Sequence, residues 1–171
     1  MVPVGTGSLA SGRSGVVSGL LGRVSLALGD APGARRIVTE ARGEGDERAR
    51  EAPLAMVEAL AALGDWDGLR GYLPEARRMM GVMALLRPVA ERAEGRMGCA
   101  LGNIEAGLEQ LRLALEGFES MSVPFEAART KEALADVVAG AGGRRLLEEA
   151  LATYEALGAR PHAERVRAGL G

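Results

Sequence analysis

The chain has 171 residues, 47% of them hydrophobic but only 3% aromatic, and a formal net charge of −2. That length holds one domain or one short repeat array, with a core of Leu, Ala, Val and Met rather than of rings. Acids and bases are interspersed, which excludes the basic stripe of a direct nucleic-acid binder, and the Val/Ile/Tyr runs of a β protein are missing.

Residues 1–14, rich in Gly and Ser, are expected to form a flexible lead-in. Within it Gly7 to Ser14 has the spacing of a phosphate-binding loop, but Arg13 stands where that loop has its lysine, and no strand precedes it. Nucleotide binding there is a remote alternative. No basic region precedes an apolar one as in a secretory signal. The apolar run from Val16 to Leu28, interrupted by Arg23 and glycines, is too short and broken to span a bilayer. A cytoplasmic location is expected.

Val16 to Leu28 reads as a helix closed by Gly29-Asp30, and Pro32 to Ala41 as the next. The cluster from Arg42 to Glu51 offers Glu44–Arg48 and Asp46–Arg50 pairs, each worth only ~0.3–0.5 kcal/mol. Pro53 to Leu63 is a third helix, closed by Gly64-Asp65. Trp66 to Met80 is a fourth, with Leu69, Tyr72, Leu73 and Ala76 inward and Pro74 expected to kink or split it. A longer helix is expected from Val82 to Leu101, bent at Pro88.

The stretch from Leu101 to Arg129 shows the repeating unit most plainly. Ile104, Leu108, Leu111, Leu115 and Phe118 step by four and three, giving one buried stripe. Gly102 breaks the chain before it, Asn103 is placed to cap it, and Pro124 starts the following helix, expected to run to Val138. Gly140 to Gly143 reads as a turn. Arg144 to Leu157 is amphipathic again, with Leu147, Leu151, Tyr154 and Leu157 on one side; Gly158 caps it, and Pro161 to Leu170 closes the chain.

Gly29, Gly64 and Gly102 each follow Leu and precede Asp or Asn, at intervals of 35 and 38 residues. Twelve residues after each comes Ala41, Ala76 or Ala114, a small side chain where two helices can approach closely. The fourth copy is shorter, from Gly140 to Ala150. Two helices per unit at this period predict an all-α helical solenoid.

The pattern resembles the tetratricopeptide repeat. Leu21-Gly22, Ala34 and Ala41 match it in the first copy, and Gly95, Gly107 and Ala114 in the third; Val57 and Leu69 occupy the small positions of the second. The resemblance implies a right-handed helical-hairpin solenoid with hairpins at about 16–41, 49–80, 82–120 and 124–157 and a capping helix at 161–170. Residues 64–77, 115–130 and 147–170 are also similar to the C-terminal repeat regions of bacterial class III adenylyl cyclases with a fused ATPase domain and of LuxR-type ATPase regulators. That likeness implies a sensor or docking surface. The alternative it raises is a truncated regulatory tail acting in cis on an ATPase or cyclase module.

The chemistry points the same way. His162 is the only histidine and has no Ser/His/Asp arrangement around it; the carboxylates are spread along helix surfaces. Cys99, the only cysteine, lies between Gly98 and Ala100 and reads as a small apolar side chain at a helix contact. No catalytic, cofactor-binding or metal-binding residue is expected. The expected role is a non-catalytic protein-interaction scaffold. Counted from Leu21-Gly22, the resemblance places Arg23, Glu58, Arg92 and Arg96 on an inner, mildly basic groove. Arginine forks bind carboxylates, so an acidic peptide or a C-terminal carboxylate is the expected ligand class. The competing reading pairs these arginines with Glu91, Glu94 or Glu58 on neighbouring turns.

Overall fold

A computed structural model describes residues 20–26, 29–43 and 52–171. The lead-in, the Gly7 to Ser14 motif and the charge cluster with its Glu44–Arg48 and Asp46–Arg50 pairs lie outside the described residues. Among those described, the fold is all-α with no strand: α1 (20–26), α2 (Ala31–Gly43), α3 (Ala52–Leu63), α4 (Trp66–Met79), α5 (Leu86–Ala100), α6 (Ile104–Ser120), α7 (Pro124–Ala135), α8 (Ala141–Ala156) and α9 (Arg160–Leu170). The helices pair as hairpins, and the chain divides into two compact units, Met1–Leu86 and Arg87–Gly171.

The turns follow from the glycines. Gly29, Gly64, Gly102, Gly140 and Gly158 all have positive φ, between 66° and 86°. Four of them end a helix, their amides donating to its last carbonyls, whereas Gly140 precedes α8 as its N-cap; glycine takes such conformations without a Cβ penalty. Asp30 and Asp65 follow two of them and cap the next helix, their carboxylates accepting from the Gly33 and Gly68 amides at 2.8 and 2.9 Å. Asn103 holds the same position ahead of α6 but makes no side-chain cap bond.

In the N-terminal unit α3 packs against both α2 and α4. Nine of its residues are buried, from Ala52 to Ala61, so it is apolar nearly all round, as a helix covered on both sides must be. Leu69, Tyr72, Leu73 and Ala76 point inward from α4 as expected. Pro74 does not split this helix. It lies on the exposed face, where water can replace the lost backbone donor, while the four inward residues hold both halves in place.

In the C-terminal unit α7 packs on α6 and α8, and α8 on α9. Gly95 and Gly98 of α5 face Gly107 of α6; a Cβ on Gly95 would lie 2.8 Å from the Gly107 carbonyl oxygen. Gly95 and Gly107 are small positions of the third repeat. Ala114 and Ala150 are fully buried, and Gly143 stands seven residues before Ala150 as Gly107 does before Ala114.

Four sequence expectations are corrected here. Helix α5 starts at Leu86, not Val82, because Pro88 then falls in the first turn, where a missing N–H costs nothing. Residues 141–143 belong to α8 rather than to a turn; Gly143 presses on the Val138 carbonyl, where no Cβ would fit. Ile104 and Leu157 are 43% and 48% exposed instead of buried, since both sit at helix ends beyond the reach of the neighbouring helix. Val138 lies past the end of α7, and Asp136 ends that helix.

Candidate functional site

The sequence-derived groove residues are not all alike. Arg23 is exposed on α1 and Glu58 half-buried on α3, both in the N-terminal unit. Arg92 and Arg96 lie one turn apart on α5 and carry the polar chemistry of the C-terminal unit.

Arg92 is buried, with 7% of its side chain exposed, and forms a 2.7 Å ion pair with Glu126 of α7. The same nitrogen lies 3.2 Å from the Glu126 carbonyl oxygen and 3.4 Å from the Thr130 hydroxyl. The guanidinium stands over the Phe118 ring of α6 at 5.0 Å, a cation–π contact strengthened by its dry surroundings. Glu126 is shared with Arg129 at 3.1 Å. Arg92 therefore cross-ties α5 to α7 over α6. This partner, Glu126, is 34 positions away in the chain.

Arg96 is exposed. It lines a cleft of about 280 Å³ with Arg92, with Arg129, Glu132, Ala133 and Asp136 of α7, with Leu147 of α8 and with His162 and Arg165 of α9. Four guanidinium groups face two carboxylates there. Spacing explains the convergence: Glu126, Arg129, Glu132 and Asp136 succeed one another at three- and four-residue steps, so one face of α7 presents them in a row.

Glu132 holds the centre of this row. It accepts from the Tyr154 hydroxyl at 2.5 Å and from two Arg165 nitrogens at 2.5 and 3.2 Å. Arg165 also lies 2.9 Å from Nδ1 of His162. The His162 ring packs among aromatics, 5.0 Å from Phe125 edge-on and 5.1 Å from Tyr154. Phe125 and Tyr154 meet edge-on at 5.6 Å. Tyr154 is fully buried and anchors a cluster with Ala128, Ala150, Ala163 and Val166.

These contacts set the protonation states. Burial, followed by the Glu132 hydrogen bond, pushes the Tyr154 phenol up, so it stays a neutral donor. Burial and the adjacent Arg165 cation hold the His162 imidazole below its ordinary range. Burial and the neighbouring Glu132 raise the Asp136 carboxyl against the pull of Arg96, although the residue as a whole is exposed. The hydrogen bond to Glu132 raises the Arg165 guanidinium further. Of the four guanidinium groups lining the cleft, those of Arg92 and Arg129 are paired with Glu126 and that of Arg165 with Glu132.

Elsewhere, Cys99 is half-buried against Gly107, and burial pushes its thiol up, away from the reactive thiolate. Among the described residues no group of His, Cys, Asp and Glu is placed to hold a metal ion, and no helix is long and apolar enough to cross a membrane. Sequence reasoning missed Arg129, Glu132, Asp136 and Arg165. Their only signal was the charged face of α7; the contribution of α9 needed the tertiary structure. No protein-family model, no curated protein and no solved structure matches this chain.

Proposed function

We propose that the chain is a non-catalytic protein-interaction module, a tetratricopeptide-like repeat region of a cytoplasmic bacterial signalling protein, and that its C-terminal unit receives an acidic peptide segment or a C-terminal carboxylate. The observation that carries this reading is the cleft of Arg92, Arg96, Arg129 and Arg165. Guanidinium forks bind carboxylates bidentately, and partial enclosure strengthens each contact over its value in water. The helical hairpins, the small residues at their crossings and the resemblance to cyclase and ATPase-regulator repeats support the scaffold role. In such proteins the acidic partner would be presented either in trans or by an ATPase or cyclase module in cis.

The test is fluorescence anisotropy with a short labelled oligoglutamate peptide ending in a free carboxylate, at moderate salt. Saturable binding to the full chain is expected. Arg96→Glu, which changes an exposed side chain, should weaken it at least about tenfold, the scale of one charge-assisted contact. Arg92 is not a fair probe, because its side chain supports the fold through Glu126. Binding that survives Arg96→Glu unchanged would place the partner site elsewhere.

A further inference from the structure

The contact between Arg165 and His162 has a direction. A guanidinium carries only donors and does not lose its proton in proteins, so at 2.9 Å the histidine Nδ1 must be the acceptor and the ring proton must sit on Nε2. A proton on Nδ1 would set two donors against each other. The ring cannot easily turn away, because Phe125 and Tyr154 flank it.

The groups facing the ring act in opposite senses. Arg165 of its own helix and Arg129 of α7 oppose a second ring proton, while Glu126 and Glu132 of α7 favour one. Those carboxylates are already engaged, Glu126 by Arg92 and Arg129 and Glu132 by Arg165 and the Tyr154 hydroxyl. Across the cleft stand Arg96 and Arg92 of α5, and Asp136 at the end of α7. An anion in the cleft would change the balance twice. It would add the negative charge that this set lacks, and it would compete for Arg165, leaving the Nδ1 lone pair exposed.

We infer that an anion entering this cleft is bound together with a proton, taken from solvent onto Nδ1 of His162 as Arg165 turns from the ring to the anion. The inference rests on the anion-binding reading above and adds its regulation: the module holds an acidic partner more tightly as pH falls. No covalent bond changes, and the imidazolium Nδ1–H becomes a further donor to the bound carboxylate. Linkage sets the size of the effect. Uptake of one proton raises affinity by at most about tenfold for each pH unit between the two histidine values, the depressed one of the free cleft and the higher one of the complex.

The same labelled oligoglutamate would be titrated from about pH 7.5 to about pH 6, across the ordinary histidine range. Wild-type affinity should rise several-fold, and calorimetry in two buffers of different ionisation enthalpy should show a net proton taken up. His162→Gln should still bind, with the pH dependence and the proton uptake both lost; circular dichroism would check that it is folded. Asp136 is the competing proton acceptor, so Asp136→Asn should keep the wild-type slope. Saturable binding with no pH dependence would overturn the inference and leave the anion site standing. A slope that persists in His162→Gln and vanishes in Asp136→Asn would overturn it in favour of Asp136. Absence of binding at every pH would instead refute the anion-binding reading, and this inference with it.

Discussion

The two units solve the same packing problem with different materials. In the N-terminal unit a nearly all-apolar helix, α3, lies between α2 and α4, and the ion pairs Arg35–Asp65 and Arg70–Asp67 are at the surface. In the C-terminal unit the helices are tied by charge that is buried or half-buried on at least one side of each pair: Arg92 to Glu126, Arg165 and Tyr154 to Glu132, Lys131 to Glu119 and Glu149. Apolar packing is indifferent to pH and to ions. A polar network is costly to desolvate and responds to both. The polar cross-ties described here thus belong to the C-terminal unit, while the glycine turns run through both.

Removing one partner from the buried network should have the largest effect. Glu126→Gln leaves Arg92 buried without its carboxylate, and loss of one member of such a pair typically costs about 3–5 kcal/mol. Thr130, the Glu126 backbone carbonyl and Phe118 remain as partial substitutes, so the lower end is expected. Urea unfolding followed by circular dichroism measures it. Trp66, the only tryptophan, reports the other unit and should show a smaller shift of its own midpoint. Equal shifts by both probes would mean that the two units unfold as one.

Ala114→Leu comes next. Ala114 is fully buried on α6, and overpacking such a site costs ~1–3 kcal/mol. Its melting temperature should fall clearly below wild type; no change would show that the small positions of the repeat are not helix crossings.

Acid should separate the units more gently. His162 is held below its ordinary value in the folded state, so the stability it contributes is complete above that ordinary value. It is lost as pH falls through the depressed one. Melting temperatures measured between about pH 7 and about pH 5 should therefore drop more for wild type than for His162→Gln. Parallel curves would show that the ring is not desolvated.

The smallest effect has the opposite sign. Gly71 lies within α4 on its exposed face, and an added Cβ would meet nothing within 4 Å. Gly71→Ala should stabilise the N-terminal unit by about 0.5–1 kcal/mol through helix propensity, visible as a rise in the Trp66 midpoint. A decrease would contradict the packing described for this unit.

Local rules determined much of this protein from sequence alone. Leucine-glycine turns followed by Asp or Asn, prolines at first helical turns and the three-and-four stepping of apolar residues act within a few positions, so the helices and most of their bounds were legible. Where tertiary context overrode local preference, the reading failed: Gly143 packs inside a helix rather than in a turn, while Pro74 lies inside α4 as read but does not split it. The candidate site was less legible still. Arg92 and Arg96 were singled out by register, but Glu126, which pairs with Arg92, is 34 residues away and out of reach of reasoning by neighbouring turns. Glu132, His162 and Arg165 share a site only because α9 folds back over α7 and α8. Periodicity says which face of a helix is turned inward; which charges meet there depends on the packing of helices far apart in sequence, and only the tertiary structure decides it.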